Sequence, residues 1–233
     1  MSSDYFSDYL FPPLLLPFFL LFVILPFLAV FFVLSTSEVF QLVFDMNRAQ
    51  ALTVFALAII GSFMNIPVCE KEGRPVERYY SFFGLIYAVR ERRRIVIAVN
   101  VGGCIIPAIL ALKLLSELPL NAWLLSFAIS TALIYTQAKP VRGLGIAVPV
   151  FIPPAVAALS SYISLTVFGY SILLLPKMAF STGVLSVLFG ADLLHLKDVE
   201  KIGSGVVSIG GAGTFDGIFL TGLFSVIFSL FLI

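Results

Sequence analysis

Apolar segments of membrane-spanning length recur along this chain, and two of them contain an aspartate, Asp192 and Asp216. Sixty per cent of the residues are hydrophobic and only 12% are charged, whereas about 25% of the residues in a soluble domain are charged. This composition predicts an integral membrane protein. A charge at bilayer depth costs at least about 2.5–3.5 kcal/mol, so two such aspartates indicate that the protein uses them.

The apolar segments predict an all-α fold, a polytopic transmembrane helix bundle with about seven spans. At about 20 residues per span, the 233 residues hold seven helices and one sizeable loop. We expect a single transmembrane domain over residues 1–233, in which residues 69–94 are a cytoplasmic loop that forms a hairpin or an interfacial helix. The fifth span is either one kinked helix or an unwound piece followed by a helix. The expected helices lie near residues 10–34, 49–65, 95–115, 118–135, 145–176, 177–196 and 206–233.

Lysine and arginine are distributed unequally between the expected loops. If the N-terminus is cytoplasmic, the inner loops carry eleven basic residues and the outer loops carry three, which are Arg48, Lys113 and Lys177. Because cytoplasmic loops are enriched in lysine and arginine, this asymmetry predicts a cytoplasmic N-terminus and an outer C-terminus. The run RERRR is interpreted as an anchor of this topology near anionic lipid.

The polar turn between the last two expected helices places the two aspartates at similar depth. Asp192 precedes the centre of this turn by about ten residues and Asp216 follows it by about fourteen, in an antiparallel hairpin that rises ~1.5 Å per residue. Three glycines, Gly210, Gly213 and Gly217, allow helices to approach closely in lipid. We expect the two carboxyl groups to lie within roughly 4–8 Å of each other, where they share a proton, as in aspartyl proteases and proton relays.

Structural roles for these residues are open alternatives. Asp192 could lie at the membrane interface and pair with Lys197, and Asp216 could be the N-cap of a helix that begins after Thr214. His195 follows Asp192 by three residues, so it shares a helix face with that aspartate. We interpret His195 either as an auxiliary residue of the site or as an interfacial side chain near a helix end.

Other residue types that carry chemistry are sparse. Asn65 and Asn100 lie in apolar stretches and are auxiliary site candidates or hydrogen-bonding residues between packed helices. The chain has one histidine, and its two cysteines, Cys69 and Cys104, lack metal-type spacing, so we expect no metal site and no cofactor. The net charge of +1 gives no argument for nucleic acid as a partner. The expected partners are the lipid bilayer and a membrane-embedded substrate, and the oligomeric state is left open.

Five motifs resemble those of an uncharacterised prokaryotic membrane family, a domain of unknown function found in archaea and bacteria. The motifs are GSFMNIPV, NVGGCIIPAI, GIAVPVFIPP, GADLLHL and IGGAGTFDGIFLTG, and the resemblance spans roughly residues 55–233. It implies a location in the prokaryotic cell membrane and no established activity.

The two aspartate-bearing segments are also similar to those of the Gly-x-Gly-Asp aspartyl intramembrane proteases, namely presenilin, signal peptide peptidase and the prepilin peptidases. Those proteins carry one catalytic aspartate on each of two adjacent helices. Here Asp192 follows Ala191, and Asp216 ends the letters GTFD, in which Gly213 matches the first glycine of the motif and Phe215 stands at the second. The resemblance implies that Asp192 and Asp216 are catalytic.

The substrate-binding candidates surround the second aspartate and a proline pair. The run Pro154-Ala155-Val156 resembles the Pro-Ala-Leu element of presenilins. The glycine-rich start of the last helix leaves room for a substrate strand to approach the backbone. The candidates are Gly213, Thr214, Phe215, Gly217, Pro153 and Pro154.

The leading expectation is an intramembrane aspartyl protease that cuts another membrane helix or peptide near its cytoplasmic end. One ionised carboxylate would activate water as the general base, while the other, protonated, would donate to the scissile carbonyl oxygen. A proton-coupled membrane transporter is an alternative, because carriers also use intramembrane carboxylates and proline-broken segments. A non-catalytic membrane scaffold is a third. The separation of the two carboxyl groups distinguishes them, because proteolysis needs both groups near one water.

Overall fold

The computed structural model describes residues 16–82, 85–141, 145–201, 205–211 and 217–233, and within these ranges the chain is mostly helical. Short 3-10 helices lie at Ile172–Leu174 and Leu196–Lys201. Two π-helical segments, Val101–Ile105 and Leu188–Leu193, precede the third α-helix and extend the sixth. The seven α-helices of the described ranges are α1 (Leu16–Phe44), α2 (Arg48–Ser62), α3 (Ile106–Leu114), α4 (Leu120–Gln137), α5 (Ile152–Phe168), α6 (Leu175–Val187) and α7 (Gly217–Leu230).

Five strands accompany these helices and form two sheets. They are β1 (Asn65–Phe82), β2 (Leu85–Asn100), β3 (Lys139–Val141), β4 (Gly145–Ala147) and β5 (Gly205–Ile209). The larger sheet has the order β1-β2-β5, in which β1 and β2 form a long antiparallel hairpin and β5 pairs with β2 in parallel. The antiparallel pair β3–β4 forms the smaller sheet. The expected loop 69–94 lies entirely within the hairpin.

The strands correct the prediction of an all-α fold. Residues 95–100, expected to begin the third helix, belong to β2, and residues 206–209, expected to begin the seventh, belong to β5. A short continuous apolar run such as IVIAV is compatible with a buried strand and with a buried helix. Its β-branched residues favour the strand. Pairing with strands on both sides then buries Ile95 and Ile97.

Several helix boundaries also differ from the expected ones. The first helix, expected to end near residue 34, continues as α1 to Phe44. The uncertain region 145–176 contains β4, then α5 from Ile152, and then the start of α6. Because Gly169 adopts a left-handed conformation at φ 71°, it ends α5 and separates it from α6.

Three tight turns lie together at one end of the bundle, which we call the turn end. The Lys177 ammonium group lies 2.7 Å from a carboxylate oxygen of Asp45 and 2.8 Å from one of Glu117. Asp45 belongs to the turn between α1 and α2, Glu117 to the turn between α3 and α4, and Lys177 to the first turn of α6. A partly exposed ion pair adds little stability by itself, so the main consequence of this cluster is to align the three turns.

The two sheets lie at the opposite end, which we call the sheet end. The chain passes from α2 into β1, from β2 into the helical segment of α3, from α4 into β3, and from β4 towards α5. The Lys71 ammonium group donates to the carbonyl oxygen of Leu196 at 3.2 Å, which ties β1 to the segment that follows α6. The helix pair α3–α4 therefore begins and ends at the sheets, and α2 and α5 each join a sheet at one end.

The core is centred on α6. Every residue from Leu175 to Val187 is buried except Lys177. Phe180 makes edge contacts with Phe40 and Phe44 of α1, and neighbouring helices cover the rest of the surface of α6. Such burial on all sides is typical of the central helix of a bundle.

Two helical stretches are long and apolar enough to cross a membrane by length and composition. The most apolar 18-residue window of Phe18–Phe44 has a mean hydropathy of 2.9 and contains no buried residue, whereas that of Ile172–Leu193 has a mean hydropathy of 1.8 and is 67% buried. Within the described residues, four other apolar helices have 10–17 residues. The seven helices thus agree in number with the expected spans, while seven membrane crossings stay a prediction.

We predict that Gly102→Ala strongly destabilises the fold. A Cβ atom at Gly102 would overlap the carbonyl oxygen of Ala58 and the amide nitrogen of Ser62 in α2, and neither backbone atom can rotate away. The loss should exceed the ~1–3 kcal/mol that is typical of overpacking by side chains. Thermal unfolding of the purified protein in detergent measures it.

The matched control for this prediction is Gly183→Ala. A Cβ atom there would meet the side-chain hydroxyl of Ser225 at 2.8 Å, and that side chain has other rotamers. An equal or smaller loss of melting temperature for Gly102→Ala than for Gly183→Ala would contradict the close backbone approach of α2 to the first π-helical segment.

Candidate functional site

A cavity of about 290 Å³ lies at the sheet end between β4, the start of α5, the end of α6 and the start of α7. Three of the residues expected from the sequence line it together: Asp192, Pro153 and Gly217. Most of the remaining wall is aliphatic, with Ile146, Val148, Val150, Val187, Ile218 and Leu220 among its residues. Asp192 therefore lines a cavity whose other walls are mostly apolar.

The proline-rich segment before α5 forms one wall of the cavity. Pro149 lines the cavity, and α5 begins directly afterwards with Pro153 and Pro154 in its first turn. Proline suits this position because the first turn of a helix needs no backbone N–H donors. Pro153 lines the cavity, whereas Pro154 is buried and is not among the lining residues.

Asp192 lies on the π-helical segment that extends α6. Its side chain is half-buried and lines the cavity beside Ala191 and Val187. Segments of π-helix are rare and occur frequently at functional sites. The structure therefore puts Asp192 in a chamber near the sheet end of α6.

The second aspartate falls outside the residues that the structure describes. The same holds for three of the substrate-binding candidates, Gly213, Thr214 and Phe215. The description resumes at Gly217, the first residue of α7, and this glycine lines the cavity. The residue that directly follows Asp216 in the chain therefore belongs to the same cavity wall as Asp192.

His195 is buried near Asp192 and is not among the residues that line the cavity. Its side chain is 6% exposed, and its Nδ1 atom lies 3.1 Å from the carbonyl oxygen of Gly190. Its ring lies against that of Tyr135 in α4, with the ring centroids 4.6 Å apart. These contacts make His195 part of the interface between α4 and the end of α6.

Asn65 and Asn100 meet each other where the helices join the larger sheet. The Asn100 amide nitrogen donates to the Asn65 side-chain oxygen at 3.1 Å and to the carbonyl oxygen of Ser62 at 2.7 Å. The Asn100 side-chain oxygen accepts from the Gly103 amide at 2.7 Å. The two amides therefore connect α2, the hairpin and the first π-helical segment, and they lie outside the cavity wall.

The same junction holds the start of the segment that leads to Asp216. The Ser208 hydroxyl of β5 donates to the side-chain oxygen of Asn65. Gly210 has a φ of 74° and packs on Cys104, and a Cβ atom there would overlap that cysteine. Only a glycine fits this combination of a left-handed backbone and close contact.

Sequence reasoning missed a cluster of buried hydroxyl groups between α4, α5 and α6. The Ser126 hydroxyl lies 3.0 Å from those of Ser160 and Ser161 and donates to Thr182 at 3.2 Å, and the Ser130 hydroxyl lies 2.6 Å from that of Ser160. The sequence feature that indicates this cluster is the spacing of serine residues, which recur one helical turn apart within these apolar helices. Such bonds connect helices in apolar surroundings.

Comparison with known proteins identifies one family. A family model described as "Protein of unknown function (DUF1614)" matches residues 59–228, which is more than half of the chain. The matched range contains the lining residues Pro153, Asp192 and Gly217. No curated protein and no solved structure matches the chain. The chain therefore belongs to the DUF1614 family, described as proteins of unknown function.

Proposed function

We propose that this protein is a multi-pass membrane protein that hydrolyses a peptide bond at bilayer depth, with Asp192 and Asp216 as its catalytic pair. The observation that carries the proposal is the cavity shared by Asp192 and Gly217. Asp216 directly precedes Gly217 in the chain, and this adjacency supports a position for its carboxyl group beside the same cavity. Two carboxyl groups at one cavity are the requirement for aspartyl proteolysis.

The shape and chemistry of the cavity support this reaction. The walls of the cavity are mostly aliphatic, and two carboxyl groups that face each other there would favour a shared proton. The ionised carboxylate takes a proton from the attacking water, and the protonated one donates to the carbonyl oxygen, so that a tetrahedral gem-diol forms before the C–N bond breaks. A cavity of about 290 Å³ admits side chains and a short stretch of backbone, so a helical substrate would unwind locally.

The arrangement of charged residues supports a multi-pass topology. The three basic residues assigned to outer loops, Arg48, Lys113 and Lys177, lie beside the turns of the turn end. The other eleven fall in the hairpin, around the β3–β4 sheet and after α6. The enrichment of lysine and arginine on the cytoplasmic side then orients the sheet end, and with it the cavity, towards the cytoplasm.

A proton-coupled carrier is a second candidate, favoured by the buried hydroxyl groups near the site. Ser130 belongs to the hydroxyl cluster, and the neighbouring Thr131 has its carbonyl oxygen against Gly190, two residues before Asp192. Ionisable side chains within membrane helices mark proton and ion pathways. This candidate requires Asp192 alone, whereas proteolysis requires both aspartates.

The topology gives the first prediction for this function. In a variant without native cysteines, Ser81→Cys in the hairpin should react with an impermeant maleimide only from the cytoplasmic side. Ile233→Cys should react only from the outside, because the helices between them cross the membrane an odd number of times. Reaction of both cysteines from the same side would contradict the seven-span topology.

The proximity of the aspartates gives the second prediction. We expect Asp192→Cys and Asp216→Cys together, without the native cysteines, to be linked by a short bifunctional thiol reagent, because carboxyl groups within roughly 4–8 Å of each other place the two thiols within its reach. Asp216→Cys with Leu173→Cys is the control pair, since Leu173 lies at the turn end. If the short bifunctional thiol reagent does not link positions 192 and 216, the protease proposal is wrong.

Binding of a transition-state analogue gives the third prediction. A peptide with a hydroxyethylene group and a photoreactive tag mimics the gem-diol, and such analogues bind aspartyl proteases more tightly than substrates do. The wild-type protein should be tagged, and Asp192→Asn and Asp216→Asn should each abolish tagging while the protein stays folded. Loss of tagging in Asp192→Asn but not in Asp216→Asn would favour the carrier, and proton uptake by proteoliposomes would then test it.

A further inference from the structure

The end of α6 is wound differently from the rest of that helix, and this winding determines which way Asp192 faces. Val187 and Asp192 are five residues apart, and both line the cavity. In an α-helix, side chains five residues apart point about 140° away from each other. In a π-helix, whose hydrogen bonds join residues five apart, such side chains stack on one face. The π-helical segment Leu188–Leu193 therefore turns Asp192 to the side of Val187.

The hydrogen bonds of this segment end in an unusual way at His195. The Leu194 amide donates to the carbonyl oxygen of Phe189 at 3.0 Å, which is the five-residue pattern. The next amide in that pattern, that of His195, donates instead to the carbonyl oxygen of Asp192 at 3.2 Å. The Gly190 carbonyl oxygen is thereby left without its backbone donor, and the His195 side chain reaches it at 3.1 Å.

The identity of the acceptor determines the tautomer of this histidine. A carbonyl oxygen only accepts hydrogen bonds, so the Nδ1 atom of His195 carries the proton. The bond spans five residues, as the backbone bond of a further π-turn would. The imidazole thus substitutes for a backbone N–H at the point where the π-helical segment ends.

Helix α4 holds this arrangement from the other side. The ring of Tyr135 lies against that of His195, at a centroid distance of 4.6 Å and a tilt of 34°. A Cβ atom at position 190 would lie 2.8 Å from the carbonyl oxygen of Thr131, so Gly190 is in direct contact with the backbone of α4. The ring of His195 and its acceptor are therefore both fixed by the same helix.

We propose that His195 is a positioning residue for Asp192. Its Nδ1–H bond to Gly190 stabilises the π-helical segment, and that segment directs the Asp192 side chain into the cavity. The inference rests on the proposed function only for what Asp192 does there, because the geometry of the segment is the same for a protease, a carrier or a scaffold.

The test measures the position of residue 192 without any cleavage assay. Asp192→Cys is introduced into a variant with Cys69→Ser and Cys104→Ala, and its reaction rate with a small water-soluble methanethiosulfonate is measured in membranes. The His195→Phe variant keeps an aromatic ring against Tyr135 and removes the Nδ1–H group that donates to Gly190. It should slow the reaction about fivefold or more, the factor that corresponds to one net hydrogen bond of ~1 kcal/mol. His195→Asn keeps an N–H at the place of Nδ1 and should react within about twofold of the parent, the spread expected for one such bond.

Two outcomes would overturn the proposal. An unchanged rate in His195→Phe would show that the bond does not place residue 192, and an equal loss in His195→Asn would assign the effect to ring packing.

The fluorescence of Trp123, the one tryptophan, reports whether each variant is folded, because its indole donates to Ser181 at 3.1 Å within the core. If His195→Phe does not fold, the His195→Gln variant, whose amide reaches beyond the Nδ1 position, takes its place with the same expected loss. If the transition-state analogue does not tag the protein, the proposed function is wrong, but the reaction rates of the cysteine at position 192 would not be affected.

Discussion

The close packing of neighbouring helices against the small residues of α6 is the constraint on which the rest of the structure depends. Gly183 and Gly222 bring α6 and α7 together, and Gly190 brings the end of α6 against the backbone of α4. In apolar surroundings, close packing and hydrogen bonds hold helices together, and small residues permit both. The central helix α6 begins at the turn end, and its π-helical extension finishes at the sheet end.

Enclosure of α6 also explains why the cavity forms where it does. Along most of its length α6 is buried among other helices, whereas near the sheet end the winding changes to a π-helix and α7 begins beside it at Gly217. The first turn of α5, with its prolines, and the small β4 strand close the remaining sides. A change in helix winding, rather than a large loop, thus makes the chamber that holds Asp192.

The polar groups of the bundle fall into three separate layers, each with its own role. The ion pairs of Lys177 align the turn end, the hydroxyl cluster around Ser126 connects helices in the middle, and the amides of Asn65 and Asn100 join helices to strands at the sheet end. Because an unpaired polar group in apolar surroundings is costly, each layer specifies which elements are neighbours. Asp192 lies near the third layer, where the chain changes from helix to strand.

The sequence by itself determined the apolar class of the chain and the asymmetric placement of its basic residues, and it predicted as many helices as the described residues contain, because composition and charge spacing do not depend on contacts. It did not determine the strands at residues 95–100 and 205–209, since hydropathy is the same for a buried strand and a buried helix. Only the tertiary structure decided those strands, through pairing on both sides of β2, and the direction of Asp192, through the π-helical winding that His195 and α4 hold in place.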